Sequence, residues 1–150
     1  MTYYSYEEFR DDTNRLIKKM QDFKPESIIG IARGGLTLSH ALAEGFKIRE
    51  VQTLRTELYD GQDKRDKISI FGACNLEAKQ RVLVVDDIAD SGETLEAVMG
   101  YLTKNFTDVE FKSCTLFYKK SSVYEPHYWV NEANDWIDFF WERDFIYETL

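Results

Sequence analysis

RVLVVDDIADSGETL, residues 81–95, sets an apolar run, Val82 to Val85, directly before two adjacent carboxylates, Asp86 and Asp87, with a third, Asp90, close behind. Ser91-Gly92-Glu93-Thr94 then reads as a turn opening a helix, because Leu95, Val98, Met99 and Leu102 follow at i, i+3, i+4, i+7 spacing. A continuous apolar run marks a strand buried on both faces. Strand, glycine turn and amphipathic helix in that order belong to an α/β domain. Helix N-termini attract anions, so three carboxylates beside one raise the question of what they serve.

The same alternation extends in both directions. Ser5-x-x-Glu8 is a capping box, and Phe9, Leu16, Ile17 and Met20 share one face, predicting a helix over about 6–22. Ser27 to Ala32 is a short buried strand that ends at Arg33-Gly34-Gly35, and Leu36 to Phe46 is helical, stopping near Gly45. Residues 50–59 and 67–74 predict a hairpin around the charged loop 60–67, and Lys112 to Tyr118 a further strand. Tyr124, Tyr128, Trp129, Trp136, Phe139, Phe140 and Trp141 then crowd into a poorly periodic tail. The expected fold is one domain over 1–150, a mostly parallel sheet flanked by helices. Its ligand site lies at the carboxyl ends of the strands, where the turns at 33–35 and 90–92 face one crevice.

The 150 residues carry a net charge of −8 and are 43% hydrophobic and 15% aromatic, which fits a folded chain and disfavours nucleic acid or anionic membranes as partners. No stretch approaches the roughly 18 apolar residues of a membrane span. The N-terminus lacks a leader pattern, so a cytoplasmic protein is expected. Cys74 and Cys114 make no ligand cluster with His40 and His127; both read as buried thiols on strands.

Two accounts of residues 86–94 stay open at this point. Asp90 is a helix cap with Glu93 completing a box, or backbone N–H groups of Ala89 to Thr94 and the hydroxyls of Ser91 and Thr94 wrap a phosphate. In the second account the acids accept hydrogen bonds from a sugar diol and hold Mg²⁺.

VVDDIADSGETL resembles the phosphoribosyl pyrophosphate signature of the type I phosphoribosyltransferases: apolar strand, two acids, two variable residues, then Asp-Thr-Gly and a Thr two residues on. Ser91 stands for the usual Thr and keeps the hydroxyl, while Glu93 stands where a small residue is commoner. Within that family the chain is most similar, over roughly 28–142, to the bacterial xanthine-guanine (6-oxopurine) enzymes. Ile31 to Leu36 resembles their pyrophosphate loop, Tyr59 to Lys67 their mobile loop, Phe117-Tyr118-Lys119 their base-reading lysine and Trp136-Ile137 their base-stacking segment.

The resemblance implies a type I phosphoribosyltransferase-like fold with a small C-terminal base-binding segment, and a site assigned residue by residue. Arg33, Gly34, Gly35 and Arg65 hold pyrophosphate, with a non-proline cis peptide near Ala32–Arg33. Asp86, Asp87, Ile88, Ala89, Asp90, Ser91, Gly92, Glu93 and Thr94 hold the phosphoribosyl group, Asp87 with Mg²⁺, and Asp90 manages the proton of the base. Lys119, Trp136 and Ile137 bind the base. Each has a plainer alternative: a tight turn for 33–35, a solvated side chain for Arg65, a core aromatic for Trp136. Lys119 and Lys120 are equivalent on sequence grounds, and only the resemblance selects Lys119. An ammonium donates and accepts nothing, favouring a 6-oxo over a 6-amino base.

The expected activity is transfer of the 5-phosphoribosyl group from phosphoribosyl pyrophosphate to guanine, xanthine or hypoxanthine, by a homo-oligomer, a dimer or tetramer. A non-catalytic regulator that senses phosphoribosyl pyrophosphate is the alternative, and the acidity and lack of a basic stripe weigh against it. A receiver domain shares the VLVVDD pattern, but its acids follow the first strand of the domain, and here the whole first half of the chain precedes them.

Overall fold

The computed structural model describes residues 1–59 and 67–148. In chain order the elements are β1 (Thr2–Tyr4), α1 (Tyr6–Lys19), β2 (Ser27–Ala32), α2 (Leu36–Phe46), β3 (Val51–Tyr59), β4 (Lys67–Phe71) and β5 (Arg81–Val85). They continue with β6 (Ile88–Ala89), α3 (Glu93–Asn105), β7 (Glu110–Cys114), β8 (Phe117–Tyr118), β9 (Asn131–Glu132), β10 (Ile137–Phe139) and α4 (Phe140–Arg143).

The central sheet has the order β4-β3-β2-β5-β7, parallel except for the β3–β4 hairpin at one edge. Alternation along the strands divides the core. Ile28, Leu83 and Val85 pack with Leu16 of α1 and Leu38 and Leu42 of α2, whereas Ile29, Ile31, Val82 and Val84 pack with Leu95, Val98 and Leu102 of α3. Helices therefore cover both faces, which is why β2 and β5 read as unbroken apolar runs. The acid pair follows the fourth strand of this sheet in chain order, not the first, and that removes the receiver reading.

A second layer, β6-β8-β9, lies beside the carboxyl end of β5, and β1 pairs in parallel with β10. Several expectations change here. The single strand expected over 112–118 is two: β7 stays in the main sheet, while Leu116 and Phe117 donate to the Asp87 carbonyl and carry β8 into the second layer. The poorly periodic tail carries two short strands, β9 paired with β8 and β10 paired with β1 at the other end of the sequence. The α1 helix stops at Lys19, with Ser5 Oγ accepting from the Glu8 amide as its N-cap. Gly45 does not end α2. A Cβ there would meet Ile17 Cδ1 at 2.4 Å, so the glycine serves helix packing, and Lys47 supplies the left-handed cap at φ 60°. Strand β4 ends at Phe71, which leaves Cys74 half-buried on a loop, while Cys114 is fully buried at the end of β7.

Candidate active site

The carboxyl ends of β2 and β5 are bound together by close backbone approach. At the end of β2 the Ala32–Arg33 peptide is cis, as the resemblance implied, and the Gly35 amide donates to the Ile31 carbonyl at 2.8 Å. A Cβ on Gly35 would lie 2.3 Å from the Val85 carbonyl oxygen, and one on Gly34 2.6 Å from Asp87 Oδ2. The glycines thus bring the loop after β2 against the acids after β5. Arg33, Gly34 and Thr94 border one open cavity of about 890 Å³ together with Asp86 and Asp87. The turn through Ser91 and Gly92 encloses an adjoining hollow of about 220 Å³ that shares Asp86, Asp87 and Thr94.

Asp86 Oδ1 accepts from the Asp87 amide at 2.9 Å, and Asp87 Oδ1 from the Ile88 amide at 2.8 Å. Burial raises the carboxyl pKa of both above the ordinary range, and the charge of Asp87 raises that of Asp86 further. The pair is short of positive charge, which is the condition a divalent cation or a cationic sugar relieves. Among the described residues no three metal-binding side chains converge. The two adjacent carboxylates are hard oxygen donors of the kind that suit Mg²⁺ when phosphate oxygens of a ligand and water complete its shell.

Asp90 does not cap α3. Gly92 occupies the N-cap position at φ 83° and makes no side-chain cap bond, while Ser91 Oγ accepts from the Glu93 amide at 3.3 Å. Instead Asp90 Oδ1 lies 3.6 Å from Lys119 Nζ. Asp90 and Lys119 line a cavity of about 290 Å³ with Asp87, Ile88, Trp136 and Ile137. Lys120, which the sequence left equivalent to Lys119, pairs outside this cavity with Glu132 at 3.7 Å. Trp136 is 66% exposed, so it is not the core aromatic its composition suggested. The other two indoles are partly buried against the core, Trp141 stacked on Phe139 at 4.6 Å and Trp129 beside Tyr118 at 5.1 Å. Glu93 is exposed, and Arg65 lies outside the described residues.

A phosphoribosyl transferase domain model matches residues 2–145. The chain belongs to the phosphoribosyltransferase family. It is 36% identical to the solved xanthine-guanine-hypoxanthine phosphoribosyltransferase of Helicobacter pylori, with 95% of this chain and 94% of that one covered at a TM-score of 0.89. A purine phosphoribosyltransferase structure from Pyrococcus horikoshii is 30% identical over 99% of this chain and 98% of that one, at a TM-score of 0.85. A xanthine-guanine phosphoribosyltransferase of Idiomarina loihiensis is 28% identical, with 97% of this chain and 89% of that protein covered. No helix in the described residues of this phosphoribosyltransferase is long and apolar enough to cross a membrane.

Part of the lining has no motif of its own in the sequence. Thr37 and Thr56 border the cavity of about 890 Å³, Ala133, Asn134 and Asp135 the one of about 290 Å³ beside Lys119, and Glu142 borders both. Burial raises the Glu142 carboxyl, the charges of Asp87 and Asp138 add to this, and Arg33 opposes it. Its signal in the sequence is an acid directly after three aromatics, Phe139-Phe140-Trp141: once those rings pack inward, the next residue stands at the cavity edge.

Proposed function

We propose that the protein transfers the 5-phosphoribosyl group of phosphoribosyl pyrophosphate to a 6-oxopurine, guanine, xanthine or hypoxanthine, with release of pyrophosphate. The observation that carries this is the position of Asp87, which borders all three adjoining cavities. A base, a phosphorylated sugar and a departing diphosphate need three connected compartments meeting at the anomeric carbon. Cationic charge develops there, and the acid pair opposes it.

In this assignment the amides and hydroxyls of 89–94 hold the 5′-phosphate at the start of α3. Asp86 and Asp87 accept from the ribose hydroxyls. Arg33, Gly34 and Gly35 receive the diphosphate, with Arg65 as a further candidate. Asp87 would hold Mg²⁺, which would supply positive charge to the diphosphate group. Trp136 offers a face to the purine, the Ile137 backbone its hydrogen bonds, and Lys119 donates to the 6-oxo group. Asp90 takes the proton that the attacking nitrogen loses.

The test is to incubate pure protein with Mg²⁺, phosphoribosyl pyrophosphate and each purine in turn. Nucleotide should form with 6-oxopurines, fail to form with adenine, and stop on chelation of the metal. A folded protein that converts none of guanine, xanthine and hypoxanthine defeats the proposal.

A further inference from the structure

We propose that the N-terminal segment is a positioning element for the purine compartment, acting through the Thr2 amide and the buried carboxylate of Asp12. This rests on residues 133–137 being the purine wall. Between Asn131 and Ile137 that wall is mostly irregular chain, with Glu132, Asn134, Asp135 and Trp136 exposed, so its own packing fixes it poorly. It is tied at both ends to the first residues of the protein.

At the far end the Thr2 amide donates to the Trp136 carbonyl at 2.8 Å, and β1 runs alongside β10 with Thr2 opposite Ile137 and Tyr4 opposite Phe139. At the near end Asp12, 4% exposed, accepts from Asn131 Nδ2 at 2.8 Å, Tyr4 Oη at 2.7 Å and Arg15 at 2.6 Å. Asn131 in turn donates from its backbone to Leu116 at 2.9 Å, and Ala133 to Tyr118 at 2.8 Å, which sets the wall opposite Lys119. Tyr4 links the two ties: its hydroxyl is held by Asp12 while its ring meets Phe117 and Phe139 edge-on at 5.0 and 5.7 Å. Neither Thr2 nor Asp12 lines any of the three cavities. Their effect on the base therefore passes through Trp136 and Asn131.

Thr2→Pro removes the donor at an exposed strand end, where proline is tolerated, and Thr2→Ala keeps it. Thr2→Pro is expected to raise KM for the purine about fivefold, the scale of one hydrogen bond, with KM for phosphoribosyl pyrophosphate unchanged and Thr2→Ala like wild type. Asp12→Ala should raise purine KM further, and Asp12→Asn, which keeps an acceptor oxygen for Tyr4 and Asn131, should restore most of it. If Asp12→Ala does not fold, the Thr2 pair decides alone. Equal changes in both KM values, or a lowered melting temperature with unchanged purine KM, overturn the positioning role. A wild-type protein inactive on every 6-oxopurine instead removes the purine wall and this role with it.

Discussion

Lys119 Nζ and Asp90 Oδ1 stand 3.6 Å apart across the wall of the small cavity, both about half exposed at 52% and 59%. An ion pair this open to water contributes only about 0–1 kcal/mol to stability, so its loss should register in chemistry rather than in folding. Lys119→Met is expected to lower kcat/KM for guanine about 10- to 100-fold, the scale of a lost charged hydrogen bond, and to narrow the preference over adenine, with little change in melting temperature. Asp90→Asn should leave KM values close to wild type and reduce turnover about a hundredfold. Unchanged turnover in steady-state assays would remove Asp90 from proton transfer.

Neighbouring glycines should fail in different ways. A Cβ on Gly35 meets backbone oxygens, Val85 at 2.3 Å and Ile31 at 2.9 Å, neither of which moves without opening the sheet. Gly35→Ala is expected to destabilise by about 1–3 kcal/mol, read in denaturant titrations. A Cβ on Gly34 meets the carboxylate atoms of Asp87 at 2.6 to 2.9 Å, which can swing aside. Gly34→Ala should therefore keep its melting temperature and lose affinity for Mg²⁺ and phosphoribosyl pyrophosphate together.

Gly92 combines a φ of 83° with contacts a Cβ would make to Ser122 Oγ at 2.1 Å and the Tyr124 amide at 2.8 Å. Alanine here displaces the 122–124 turn, whose Val123 amide donates to the Ser91 carbonyl at 2.8 Å. Gly92→Ala is expected to raise KM for phosphoribosyl pyrophosphate by more than tenfold and purine KM by less, since the turn reaches the purine compartment only through the Ser122 amide, which donates to the Lys119 carbonyl at 2.8 Å, and Trp136 is elsewhere. Equal losses for both substrates would count against a phosphate role for this turn.

Asp86 makes stability depend on pH in a defined direction. Its native carboxyl pKa is raised by burial and by Asp87. Below the ordinary carboxylate value of about 3.9 the folded and unfolded chains both hold the proton. As pH rises past that value the unfolded chain ionises first, so the folded state loses stability through the window up to the raised native pKa. Asp86→Asn keeps an acceptor for the Asp87 amide and escapes this loss. Its ligand-free melting temperature should exceed wild type at pH 8 by a few degrees, about 2–4 °C per kcal/mol in a chain of this size, and converge with it near pH 4. Its turnover should fall.

The half of the site proposed to hold phosphate is legible because its chemistry is contiguous: strand, acids and glycine turn follow one another in residues 82–94. The cap alternative for Asp90 falls because Gly92, with its positive φ, takes the N-cap position that a side-chain acceptor would otherwise hold. The purine half was far less legible. Ala133 to Ile137 carry no periodicity, and what holds them, Thr2 and Asp12, lies at the opposite end of the sequence. The split between β7 and β8 is hidden for a similar reason: apolar residues run through both, and the bonds that turn the chain out of the main sheet go to the carbonyls of Asp87, Ala89 and Tyr128.

The meeting of three compartments at Asp87 bears on how the reaction ends. The purine engages one compartment, whereas a nucleotide product carries base and phosphate in one molecule and so holds the purine compartment and the phosphate compartment at once. The second contact then forms at high effective concentration, and the product dissociates slowly. A rapid first turnover followed by a slower steady rate, seen by quenched-flow mixing at enzyme concentrations comparable to substrate, is the expected signature. A linear time course from the first turnover would place the slow step before the nucleotide exists.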